Sequence, residues 1–429
     1  MQPLGLSQRE VEQAVLQYGT PLYLYNLDVV EKRYQALAET LPSNCRVYYA
    51  LKANSNLTIC HRLSQLGAAA EVSSLGELIA ALKSGFEAQS IVFTGPGKTS
   101  QELWDAIAKG IGLIVVESFN EAQRVNDIAK QQGVRQDVLL RINPCFRTLN
   151  SCEVKACSVD EKDRLKPIQM NGQGSSKFGV DEEEADAVLD AFTTLEYLQL
   201  KGIHIFTESN VLDYAQLLDS WRNTVTIANR LRQAGHPISI LDFGGGIGVP
   251  YNSVDAAFDL SGFGRELTTL FAEAPYPYTC ILEIGRYIVC EAGCYIAEVV
   301  DIKYSKGQKF VIVNGGVHNI YRTPAMQNAS KYLQVLEKDA DMSQSATLAG
   351  QLPTPIDVIT KDVQLPESIA IGDIVMVYNC GAYGFNHSLT NFSLHPYPAE
   401  AAYLQGQLKL VRSRGTIEDF FTHQHLVTV

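Results

Sequence analysis

Three short stretches of this chain bring together residue types that do chemistry. YYALKAN sets Lys52 directly after an apolar run. Partial desolvation there lowers an amine's pKa and makes it a more accessible nucleophile. LDFGGGIG (241–248) places Gly244, Gly245 and Gly246 at the end of a second such run, where backbone N–H groups can close around an anion. The spacing is not G-x-G-x-x-G, so dinucleotide binding is poorly supported. EIGR ends a third run with the Glu283 carboxylate and the Arg286 guanidinium. Each stretch alone has an ordinary explanation: a snorkelling lysine, a tight turn or a surface ion pair.

These residues need a scaffold that gathers strand ends on one face. Between residues 46 and 286, short apolar runs alternate with segments of helical period. The runs are 46–52, 68–74, 90–95, 112–118, 136–144, 198–207, 238–246 and 279–286. Helical patterns lie between them at Leu75–Lys83, Glu102–Lys109, Glu121–Gln131, Glu182–Phe192 and Ala215–Gln233. The fold class read from this is α/β. Eight such units close a parallel (β/α)8 barrel, and a doubly wound open sheet is the rival arrangement. The barrel is preferred because the polar candidates fall just after strands. Residues 145–174 read as a loop insertion after the fifth strand. Beyond about residue 288 the pattern changes to strands separated by turns, as in YIAEVVDIKY and DIVMVYNCGAYG. The expected division is a barrel over 26–287 and a β-rich domain formed by 1–25 with 288–429.

Composition narrows the function classes. The 35 Lys and Arg against 47 Asp and Glu give a net charge of −12, which disfavours nucleic acid and anionic membranes as partners. The start carries no basic and apolar leader pattern, and no apolar run approaches a membrane span, so a cytoplasmic location is expected. Nine scattered cysteines point to free thiols. Cys145, Cys152 and Cys157 cluster without metal-ligand spacing, and no metal is expected.

Taken together, a lysine amine, a glycine nest and a carboxylate are the set that pyridoxal 5′-phosphate (PLP) requires. The amine attaches the cofactor, the nest holds its phosphate, and the carboxylate keeps the pyridine nitrogen protonated so that the ring draws electrons from Cα. At this point the motifs carry a resemblance. YALKAN, AEVSSLGEL, FTGPGK, RINP, SKFGV, DFGGGIG, EIGR and GAYGF occur in the order found in the alanine-racemase-fold (fold type III) PLP decarboxylases, the diaminopimelate and ornithine decarboxylase group. The resemblance runs from about Gly19 to Phe421. Within the family the chain looks most like the enzymes of butirosin biosynthesis that decarboxylate a glutamyl group tethered to an acyl carrier protein.

By position, the resemblance implies Lys52 as the cofactor-bound lysine and Glu283 as partner of the pyridine nitrogen. Ser209, the three glycines, Gly285, Arg286 and Tyr383 would hold the phosphate. Phe206 would stack on the ring where the family has a histidine. Glu71, Arg141 and His204 complete the implied cofactor set. Arg322, Asp357, Glu208 and Arg286 are the implied substrate contacts, and a head-to-tail homodimer with composite sites is implied as well.

The chain departs from the family on the substrate side. In GQLPTPID (350–357), Pro353 stands where the family's proton-donating cysteine belongs. Met326 replaces a tyrosine beside Arg322, and Glu208 replaces a glycine. Glu208 could repel the phosphate, contact a cationic substrate, act as a base or face solvent. Cys380 is a candidate replacement acid, alongside water and Lys52. The leading reading is α-decarboxylation of an amino acid or a carrier-tethered aminoacyl group. Racemisation, decarboxylation-coupled oxidation and a non-catalytic PLP-binding homologue are the alternatives.

Overall fold

The computed structural model describes residues 4–145, 168–170, 174–252, 254–329, 332–338 and 342–427. Eight parallel strands form a closed barrel: Cys45–Ala50, Ala69–Val72, Ile91–Phe93, Leu113–Val116, Gln136–Asn143, Leu198–His204, Ile240–Asp242 and Thr279–Ile284. Each pairs with the next, and Cys280–Ile284 pairs with Cys45–Tyr49 to close the ring. Closure leaves no unpaired strand edge and aims all eight C-terminal ends at one mouth. The second, third and fourth strands are buried at every position. That explains why they read as continuous apolar runs instead of alternating ones.

Every helix foreseen between these strands is present, with ends shifted by a residue or a few. Polar caps set several starts: the side chains of Ser74, Thr99 and Ser118 accept from backbone N–H groups of the first turn. The helix Tyr214–Gln233 lays Trp221 on Phe243 of the glycine-motif strand end, with ring centroids 4.6 Å apart. Such a stack contributes about 1 kcal/mol beyond the area it buries, and it fixes the strand end that carries the glycines. The two-residue strand Val180–Asp181 adds to the end of the fifth strand. Most of the predicted insertion, with Cys152 and Cys157, lies outside the described residues.

The remaining strands form a mixed sheet. Leu22–Asn26 lies at its centre, antiparallel to Gly293–Ser305 and parallel to Ala399–Leu404. Strands Gln308–Val313, Met342–Ala349 and Val358–Pro366 extend one side, and Ile374–Val377 pairs with Gly293–Ser305. This sheet delivers the loops of residues 315–326 and 379–390 to the barrel mouth. Among the described residues no helix is long and apolar enough to cross a membrane.

Candidate active site

A cavity of about 340 Å³ opens at the C-terminal ends of the barrel strands, and Lys52, Phe206, Ser209, Gly245, Gly246, Glu283, Gly285, Arg286 and Tyr383 all line it. The first strand stops at Ala50, so Lys52 sits in the 3-10 turn Leu51–Ala53 and not on the strand itself. The turn lifts its amine over the barrel axis. There Lys52 Nζ donates to Glu71 Oε2 at 2.7 Å and stands 3.9 Å from Glu283 Oε2. Burial alone would lower the pKa of this ammonium. Glu71 and then Glu283 outweigh it, and the net direction is upward. That reverses the expectation drawn from its apolar neighbours, because both carboxylates come from other strands and are invisible locally. Glu71 is itself held by Ser73 Oγ, at 2.8 Å, and by the Thr94 hydroxyl.

At the floor of the cavity, His204 Nε2 lies 3.7 Å from Glu283 Oε2. Burial would raise the Glu283 pKa, but His204, Lys52 and Arg141 hold it down at about 2. Asp242 is fully buried behind it, accepting a hydrogen bond from Gly244 N at 2.9 Å. Burial and the charge of Glu283 push Asp242 well above the usual carboxylate range. Two carboxyl groups this close do not both ionise, so the proton stays on Asp242 and the charge on Glu283. Sequence reading passed over Asp242, although it stands two residues before the first glycine of its own motif. His204, Asp242 and Glu283 bring one potential ligand atom each within 4.8 Å of one another.

The other end of the cavity is built for an anion. Gly244 has φ +60°, and a Cβ there would lie 2.7 Å from the Phe206 ring. Glycine is therefore needed both for the turn and for bringing Phe206 against it. Arg286 starts the short helix after the eighth strand; its Nη1 donates to Tyr251 Oη at 2.5 Å, and its guanidinium lies 4.6 Å over the Tyr383 ring. Arg286 Nε is buried without a protein partner among the described residues. Tyr383 adopts φ +51°, a costly conformation for an aromatic residue, held by its N–H donating to Ala53 O at 2.8 Å. The fit to PLP is good: guanidinium, hydroxyl and glycine backbone at one end, an aromatic face in the middle, and an amine with an ionised carboxylate at the other.

The remaining predicted residues are set back from this lining. Arg141 donates to Glu117 at 3.0 Å and lies over the Phe178 ring, reaching Glu283 through its charge alone. Arg322 is buried, donating to Cys380 Sγ at 3.1 Å and lying over the Tyr251 ring. Asp357 accepts from Val317 N at 2.7 Å and from Leu352 N at 2.6 Å, so its carboxylate ties two loops together. Glu208 is buried and accepts from Gln216 Nε2 at 2.6 Å, which removes the solvent-facing reading. Cys380 is buried, with Val377 O and Tyr378 O as acceptors for its thiol; burial pushes its pKa up to about 11. In their place the cavity wall shows Met170, Ile247, Thr323, Met326 and His387.

Comparison with known proteins agrees with this geometry. The family described as pyridoxal-dependent decarboxylase, pyridoxal binding domain, matches residues 27–290. The chain belongs to the pyridoxal-dependent decarboxylases. Its relatives include L-glutamyl-[BtrI acyl-carrier protein] decarboxylase of Niallia circulans, 34% identical over 98% of this chain and 97% of that one. Diaminopimelate decarboxylase of Aquifex aeolicus is 32% identical over 96% of this chain and 92% of its own length. Among solved structures, diaminopimelate decarboxylase of Helicobacter pylori complexed with L-lysine superposes with a TM-score of 0.84 at 29% identity, covering 96% of this chain and 98% of that one. The barrel and mixed sheet of this decarboxylase are therefore the alanine-racemase-like fold, and its cofactor is PLP.

Proposed function

We propose that this decarboxylase removes the α-carboxylate of an aminoacyl group whose far end is neutral, as in a glutamyl group joined to an acyl carrier protein. The observation that carries the proposal is the composition of the cavity wall. Its permanently ionic side chains, Lys52, Glu283 and Arg286, belong to the PLP end, while Met170, Ile247, Thr323 and Met326 face the rest, with His387 as the one titratable group among them. Arg322, Asp357 and Glu208 could have gripped a charged side chain but are engaged elsewhere. A thioester-linked side chain buries less charge against such a wall than a free ammonium or carboxylate does.

PLP, when bound, supplies an electron sink for the pair left on Cα as CO2 departs. The chain's own residues do the rest. Lys52 would hold the cofactor through its amine. Glu283, kept ionised by His204 and by the proton on Asp242, pairs with the ring nitrogen. Phe206 supports the ring face, and Arg286, Ser209 and Tyr383 anchor the phosphate. We read the working form as a head-to-tail homodimer in the cytoplasm; the seven cysteines among the described residues, all free, suit a reducing compartment.

The test is absorbance, product and substrate in one series. The purified protein should show an imine band near ~420 nm that is lost in Lys52→Ala. It should release CO2 faster from a glutamyl thioester than from free glutamate, lysine or ornithine. No band with added PLP would overturn the cofactor reading. An aldehyde or an inverted amino acid in place of the amine would overturn simple decarboxylation. Preference for a free diamino acid would overturn the neutral-substrate proposal alone.

A further inference from the structure

Decarboxylation leaves an electron pair on Cα that a proton must quench, and Pro353 carries no proton to give. Lys52, Glu283, Arg286, Tyr383 and His387 are the titratable side chains lining the cavity among the described residues. Glu283 is ionised, with its pKa held at about 2. Arg286 does not give up its proton in proteins. Tyr383 packs under the Arg286 guanidinium at the phosphate end. Lys52 is turned toward Glu71. Cys380 is walled off behind Arg322 and does not line the cavity.

We propose that His387 is the catalytic acid that protonates Cα after CO2 leaves. Its position suits both halves of that task. It lines the 340 Å³ cavity with Lys52 and Met326, and it also lines a more open cavity of about 620 Å³ with Ser55, Asn386 and Thr390. One side of the ring thus serves the reacting carbon and the other meets water. Tyr321 holds it, with ring centroids 5.6 Å apart, and a one-turn 3-10 helix, Phe385–His387, follows the left-handed Tyr383. The strained tyrosine thereby aims both its own ring and the imidazole at the site. Among the described residues, the charged and titratable groups around the ring are Lys52, Glu283, Arg286 and Tyr383 on the inner side, Glu77, Tyr397 and Arg412 lining the open side, and Tyr321 against the ring itself.

The step balances. The Cα–carboxylate bond breaks, CO2 leaves and its bonding pair stays with Cα. The imidazolium N–H bond then breaks, Cα–H forms, and the N–H pair returns to the ring nitrogen. A water in the open cavity reprotonates the imidazole, so each turnover takes up one proton. An imidazole can give a proton from a ring nitrogen and take one back, which suits this cycle.

The proposal rests on the decarboxylase reading and is tested on the PLP-loaded protein. His387→Gln and His387→Asn should keep the absorbance band, the PLP affinity and the KM. Their kcat should fall about 100-fold or more, the usual contribution of general acid catalysis, and the limb of the kcat–pH profile assigned to the acid should vanish. In wild-type protein, the His387 ring proton signal in NMR should shift when the product amine binds. Unchanged kcat and pH profile in both variants, with wild-type turnover present, would overturn the assignment of His387. No turnover in wild-type protein with bound PLP would instead overturn the decarboxylase reading.

Discussion

The two halves of the active-site cavity follow different rules. At the cofactor half, the groups are ionic, convergent and held by at least one further residue each: Glu71 behind Lys52, His204 and Asp242 behind Glu283, Tyr251 beside Arg286. Away from it, the wall is two methionines, an isoleucine, a threonine and the His387 imidazole, and the nearby Arg322 and Asp357 are turned into the scaffold. The first half is constrained by a ligand of fixed shape and charge. The second carries few ionic groups and is free to change with the substrate. The proposed cofactor and substrate contacts thus occupy different parts of one cavity, and both the barrel and the mixed sheet contribute to each.

Substitutions separate the halves. Arg286→Leu should have the largest effect, removing charge-assisted bonds worth about 1.5–3 kcal/mol and weakening PLP binding roughly 10- to 150-fold; titration of the apo-protein by absorbance checks it. Unchanged affinity would mean that the anion end is misplaced. Asp357→Ala should act through the fold, leaving Val317 N and Leu352 N without their acceptor. A loss of about 1–3 kcal/mol is expected in denaturant unfolding, with PLP affinity kept. If instead KM rises while stability holds, Asp357 touches substrate after all. Cys380→Ser should be the mildest, since a hydroxyl can still donate to Val377 O or Tyr378 O. Its kcat should hardly move. Collapse of turnover with PLP still bound would return the thiol to the chemistry.

The barrel was legible because each strand run is followed by a helix pattern of its own, and eight repetitions leave few architectures open. The meeting of Lys52, the glycines and Glu283 around one cavity was legible because each ends a strand run, and a barrel gathers such ends. What escaped was anything decided by contacts across strands. The net pKa direction of Lys52 depends on Glu71 and Glu283, 19 and 231 positions away in the chain. Asp242 reads locally as part of a turn, and its protonation needs the neighbouring strand. Glu208, Arg322 and Asp357 kept their expected places in the chain, but their side-chain directions are set by Gln216, Cys380 and two backbone amides. His387 offered one clue, lying four residues after Tyr383, and nothing local marked it as facing a cavity.

The placement of Leu22–Asn26 has a consequence for biosynthesis. This strand leaves the ribosome before any barrel strand, yet one of its neighbours, Gly293–Ser305, follows the whole barrel, and the other, Ala399–Leu404, comes about a hundred residues later still. Pairings between segments so distant in sequence are slow to form, so the strand travels with both edges unpaired while the barrel folds. A nascent chain arrested near residue 300 should expose an edge prone to pairing with other chains. The sheet that carries Tyr383 and His387 to the barrel mouth is completed only after Ala399–Leu404 has been made, long after the last barrel strand.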